Sequence, residues 1–201
     1  MKQSILERIS ALGGNIKGIT GECLQEDFKS LSFNTVLYPK REGTPWAKVE
    51  EQELIIGITE VVNKYWTELA PDKDVFFNRI IERYFHKTEE SYGQTYFRND
   101  IFTPFLEGSK DFEEWDGEWE ESDFQKVIIG NKMELMFIGY SSGFPDNHFI
   151  CLSDPDINNP IVYGTDHEVF FDEITRIGTL EEYFNSFITP EELVNALNTK
   201  L

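Results

Sequence analysis

The chain has few of the residues that carry covalent or metal chemistry: two cysteines and three histidines among 201 residues. Cys23 and Cys151 stand alone, with no spacing that makes a zinc site or a redox pair, and both read as small buried hydrophobes. The two-histidine helical metal motif is absent, as are the serine nucleophile elbow and the glycine patterns of phosphate loops. SSGFPD, from Ser141 to Asp146, has the wrong letters for either of the last two. No apolar run approaches the roughly 18 residues a membrane span needs. The opening MKQSILERISALGG is broken by Glu7 and Arg8, so it does not read as a signal peptide. The expected location is the cytoplasm.

Basic residues are also scarce. Eighteen Lys and Arg face 37 Asp and Glu, a net charge of −19, where small domains usually carry roughly 2–8 in magnitude. Phosphate affinity comes from Lys and Arg releasing counterions, so nucleic acid is a poor partner. An anionic membrane is a poor one for the same reason. This field steers in a basic protein. The imbalance is also uneven. Residues 1–110 hold 14 bases and 17 acids, net −3; residues 111–201 hold 4 and 20, net −16.

Large apolar side chains are plentiful. Apolar residues make up 40% and aromatics 14%, including 17 Phe, enough to build a core and to exclude disorder throughout. The length suits one domain. Ile5, Leu6, Ile9 and Leu12 recur at helical spacing before Gly13-Gly14. Leu24, Phe28 and Leu31 suggest a second helix over 21–31. Tyr38 to Pro45 is punctuated as a loop. Leu54, Ile58, Val61, Val62, Tyr65 and Leu69 predict a helix ending near Ala70, before Pro71. Another starts at Asp72 or Lys73, with Phe77, Ile80, Ile81, Tyr84 and Phe85 on its apolar face. After Lys126 the pattern changes. KVIIG, ELMFIGY, NHFICLS and NPIVYG predict strands, with HEVFFDEI a candidate fifth. The turns between them are short, which argues for antiparallel pairing. Thr179 and Glu182 form a capping-box pattern before Tyr183, Phe184, Phe187 and Ile188. Thr189, Pro190 and Glu192 open a last helix. Helices, then a sheet, then helices make an α+β fold. The expected organisation is one domain over 1–201. It has a mainly helical part at 1–110, an acidic loop at 111–123, and a mostly antiparallel sheet with closing helices at 124–201.

Residues 133–188 resemble the SUKH superfamily. The matching parts are Phe137 to Gly143, a strand ending in a small-residue turn, then NHFICLSD, NPIVYGTDHE and the closing helix TLEEYFNSFI. The start, LERISALGGNIKGITGECL, resembles a longer bacterial branch of it. That superfamily includes the Smi–Knr-like cell-wall assembly regulators of fungi and many bacterial immunity proteins. The resemblance implies a single α+β domain that neutralises a secreted toxin domain inside the producing cell, the toxins including nucleases. The first 110 or so residues and the acidic insertion at 111–123 depart from the shorter members.

Few constellations carry chemistry. Asp166, His167 and Glu168 are consecutive. On a strand His167 points away from its neighbours, so a metal would need ligands from elsewhere, such as His148. A strand-end turn explains the same letters, and no metal is expected. Asp154, Asp156 and Asn158 have calcium-loop spacing, but Asn159 stands where glycine is needed and Thr165 where a bidentate Glu is needed. An Asp-Pro turn fits better. A glycosidase pair cannot be picked out among 37 acids. No catalytic residue or cofactor is expected.

DFEEWDGEWEESD, at 111–123, holds eight acids and no base. Self-repulsion and Gly117 predict an exposed, partly ordered loop. As a docking surface for a basic partner it would use Asp111, Glu113, Glu114, Asp116, Glu118, Glu120, Glu121 and Asp123 for steering, with Trp115 or Trp119 as a buried anchor. The alternative is a solvated charge run whose Trp residues tuck back onto the domain. The leading expectation is an immunity protein that blocks a cognate toxin by occlusion. A regulatory protein-interaction scaffold comes second and a metal-dependent hydrolase third.

Overall fold

The structure, a computed structural model, describes residues 1–40, 53–69, 71–86, 93–115, 117–142 and 146–200. Helix α1 (Gln3–Ala11) buries Ile5 and Ile9. Gly13 ends it with φ at 91°, a conformation glycine adopts without strain. A Cβ there would also lie 2.6 Å from the Thr35 methyl. A two-residue ribbon joins β1 (Gly14–Asn15) to β2 (Ser32–Phe33) around α2 (Leu24–Ser30), which buries Leu24 and Phe28. Asp27 is buried as well, and its carboxylate accepts the Thr20 and Gly21 amides. Cys23, expected inside, is exposed at the position before α2; Cys151 is buried.

The stripe beginning at Leu54 becomes α3 (Ile58–Leu69), which starts a turn later than its apolar letters. The Asp72 carboxylate accepts the Val75 amide at 3.1 Å and opens α4 (Lys73–Phe85) where expected. Most of the expected Tyr38–Pro45 loop, and Ala70, lie outside the described residues.

The main sheet has five strands in the order β3-β4-β5-β6-β7, every neighbour antiparallel. Four follow one another as a meander: β4 (Leu135–Ser141), β5 (Asn147–Cys151), β6 (Ile161–Asp166) and β7 (Phe170–Thr179). The remaining strand lies outside the span expected for the sheet, 124–201, and within residues 1–110, the part expected to be mainly, not wholly, helical. Strand β3 (Thr95–Phe102, TYFRNDIF) comes from that part and pairs with β4. KVIIG, expected as a strand, forms turns after a short helix. Ile128 is buried, Val127 and Ile129 are exposed, and the Ile129 amide donates to the Tyr163 hydroxyl at 2.8 Å. The run is an anchor at the sheet's rim rather than a ladder.

Both faces of the sheet are covered. On one, Met136, Ile138, Ile150 and Val162 pack with Ile5, Ile9, Phe28, Phe184 and Phe187. The last two come from α7 (Leu180–Asn185) and the turn after it, as their spacing predicts. Thr179 and Glu182 make the full capping box. On the other face Leu135, Phe137, Phe149 and Tyr163 pack with Phe102, Phe124, Ile128 and Phe171. A third apolar cluster joins α3 and α4 to α8 (Pro190–Lys200). Burial of this extent, at about 25 cal/mol per Å² of apolar surface, is the main term holding the layers together.

Arg8 of α1 ties the first and last helices. Its guanidinium donates to Glu192 at 2.8 and 2.9 Å and to the Phe187 carbonyl. Lys40 donates to the same carboxylate at 3.1 Å. Burial raises the Glu192 pKa, but bonds from Arg8, the Thr189 amide and Lys40 outweigh it and pull the group down to about 2. Among the described residues, no helix is long and apolar enough to cross a membrane.

Candidate functional site: the acidic ridge beside the last strand

Charge repulsion does not leave residues 111–123 as a loose loop. They form α5 (Lys110–Trp115), a turn, and the start of α6 (Glu121–Phe124). Aromatic burial supplies what the charges oppose. The Trp115 and Trp119 rings stack with centroids 4.9 Å apart and 24° between planes. Phe170 lies 5.7 Å from each. Trp119 also meets Phe171 edge-on at 5.4 Å. Both Trp side chains are half-buried against the second face of the sheet. Tucking back onto the domain is therefore the arrangement found.

The acidic side chains divide into two kinds. Asp111 is structural: its carboxylate accepts the Thr103 amide at 2.8 Å and the Thr103 hydroxyl at 3.3 Å. Glu121 is half-buried and accepts the Gln125 amide at 3.1 Å. Asp123 pairs with Lys126 one turn on. Glu113, Glu114, Glu118 and Glu120 are exposed. Asp116 lies outside the described residues.

The ridge is fastened to β7, a neighbour that spacing alone does not reveal. Trp119 Nε1–H donates to Asp172 Oδ1 at 3.2 Å. Asp172 and Glu173 of β7 are exposed beside it, which extends the acidic surface from the helices onto the strand. At the start of that strand Phe170 has φ at 45°, the left-handed region that an aromatic residue rarely adopts. Asp166 pairs with Phe170, so the hairpin loop is His167 to Val169. Glycine is the usual occupant of that conformation.

The histidine motif has a different outcome. His167 Nδ1 lies 3.1 Å from Asp146 and 3.6 Å from Asp166. The ligand atoms of these three side chains lie within 4.8 Å of one another. The His167 pKa is raised, first by the hydrogen bond it donates to Asp146 and then by the Asp166, Asp146 and Glu168 charges. Asp146, not His148, is thus the residue brought to the motif. His148 sits instead against Tyr183. Asp154 and Asp156 spend their carboxylates on backbone amides: Asp156 and Ile161 donate to Asp154, while Asn158 and Asn159 donate to Asp156. That is the turn their letters suggested, with its oxygens already engaged.

Compared with protein-family models, with curated proteins and with solved structures, the chain matches none.

Proposed function

We propose that the chain is a non-catalytic binding protein of the cytoplasm, an immunity protein that neutralises a basic cognate toxin by occlusion. The observation that carries this reading is the ordered acidic ridge. Glu113, Glu114, Glu118 and Glu120 project from a platform that Trp115, Trp119 and Phe170 hold rigid. A preordered charged surface loses little entropy on docking and lifts association rates by factors of order 10–10³. The resemblance of residues 133–188 to the SUKH superfamily supports the toxin as the class of partner. A nuclease toxin, with a basic substrate groove, has the complementary field. Occlusion asks for no nucleophile, metal or cofactor.

The regulatory scaffold is the second reading and shares the same surface. Cross-linking in the native cell, identification of the bound protein and assay of its activity separate the two. The expected partner is a basic toxin domain whose activity is lost at one equivalent of this protein. A partner whose activity is unchanged on binding supports the scaffold. A hydrolase centred on Asp146, Asp166 and His167 comes third. It predicts that adding Zn²⁺ or Mn²⁺ raises a hydrolytic activity that His167→Ala removes.

A further inference from the structure

Strands β3 and β7 are the two edges of the sheet, and they are finished differently. The start of β3 is covered: the Leu37 amide donates to the Thr95 carbonyl at 2.9 Å, and the Thr95 amide donates back at 2.8 Å. Its later part carries an Arg98–Asp100 ion pair. Along β7, among the described residues, the backbone of 173–177 makes no backbone hydrogen bond except to β6. An uncovered edge of this length is a template for another strand.

The side chains around that edge select the strand it can accept. Asp172 and Glu173 stand on β7 itself, and the exposed Glu118 and Glu120 flank Trp119, which is bonded to Asp172. Arg176 is the single base on the strand. A second copy of this chain would bring like charges together, since residues 111–201 are net −16. The acids thus block self-pairing and favour a positively charged strand. Two register shifts between β6 and β7 add local twist, a further guard against flat stacking.

We infer that β7 is a docking edge at which an extended basic segment of a partner protein adds as a sixth strand. Backbone hydrogen bonds to 173–177 hold it, and Glu173 and the glutamates of the ridge select it by charge. This rests on the reading of the chain as a binding protein for a basic partner, and it specifies how the partner is held. Strand addition of this kind takes affinity from the main chain and specificity from alternate side chains.

The test uses the whole protein, labelled with ¹⁵N, and a synthetic peptide of about eight residues that alternates Lys with Thr or Val. A second peptide of the same sequence carries N-methyl groups on alternate residues, which removes the backbone donors along one edge. Amide exchange across 170–179 is the readout. The expected result is slowed exchange at amides within 173–177 with the first peptide, at least about tenfold weaker binding of the methylated one, and weaker binding to Glu173→Lys. Shifts confined to Glu113, Glu114, Glu118 and Glu120, equal for both peptides, overturn strand addition while leaving a basic partner in place. Protection of β7 that rises with protein concentration and no peptide assigns the edge to a second copy and also overturns it. Binding of neither peptide overturns the inference, whereas the wider reading stands or falls on the cross-linked partner and its activity.

Discussion

The Tyr183 hydroxyl lies 3.0 Å from His148 Nδ1, in a space that exists because residue 139 has no side chain. A Cβ on Gly139 would come within 2.3 Å of that hydroxyl and 3.0 Å of the imidazole nitrogen. Burial pushes the Tyr183 pKa far up and the His148 pKa down to about 4. Tyr183 therefore keeps its proton and His148 is neutral, so the two share a neutral hydrogen bond between the hydroxyl and Nδ1.

That pair predicts acid sensitivity. Between pH 6.5 and about 4 the unfolded chain protonates His148 and the folded chain does not. Stability is present above pH 6.5 and falls as pH drops toward 4, by about 3 kcal/mol for this group. His148→Gln keeps an acceptor for Tyr183 and cannot titrate. Urea midpoints at pH 7 and pH 4.5 should converge for the variant relative to wild type. Parallel losses in both proteins would remove His148 as the cause.

Glu192 titrates in a lower window. Its folded pKa of about 2 lies below the ordinary value of 4.5. Its contribution is complete above pH 4.5 and disappears as pH falls through about 2. Glu192→Gln should destabilise the protein at neutral pH, where Arg8 and Lys40 lose their partner, and the deficit should shrink in acid. A deficit that stays constant from pH 7 to pH 2 would contradict this.

Phe170 offers a backbone test. Its φ of 45° is strained for any side chain with a Cβ. Phe170→Gly and Phe170→Ala both lose the ring contacts with Trp115 and Trp119, but only glycine relieves the backbone. Glycine should be the more stable of the two by about 1 kcal/mol, although elsewhere in a strand alanine would win. Thermal unfolding of both variants decides the order.

Charge and anchor separate at the ridge. Reversing Glu113, Glu118 and Glu120 to Lys should leave the fold unchanged, since all three are exposed, yet slow association with the partner and flatten its salt dependence. Trp119→Ala should lower stability by about 2 kcal/mol, less than the 3–5 of a fully buried aromatic. A wild-type melting curve for Trp119→Ala would mean that its contacts with Phe170, Phe171 and Asp172 carry little.

What could be read from the letters was what repeats locally. The period of Ile5, Ile9 and Leu12, the Asp72 cap, the Thr179–Glu182 box and four strands all have signals within a few residues of themselves. Strand β3 was hidden because it mixes exposed Asn99, Asp100 and Ile101 with buried Thr95 and Phe102, so no clean alternation survives. KVIIG carried strand letters, but among the described residues no strand pairs with it. The acidic stretch misled for a related reason. Charge is visible at once, whereas the Phe170 and Phe171 rings that organise Trp119 sit on a strand some fifty residues away. The part of the ridge that lies on β7 had no signal at all, because adjacency between Trp119 and Asp172 exists only in the folded chain.

The Arg8–Glu192 tie also sets an order of events in time. Ile5 and Ile9 find Phe184 and Phe187 across most of the chain. On a ribosome, α1 is made well before α7 and the residues after it that it packs against. The β4–β7 meander closes through short loops and can organise as soon as it is made. Contacts of high sequence separation form slowly, because a long loop must be closed before they contribute. Until then the apolar side of α1 and the sheet face it will cover lack each other as partners, and apolar surface left open in a partly folded chain generally favours aggregation. Single-molecule unfolding should show the converse: α1 and α8 release together and early, while the meander holds.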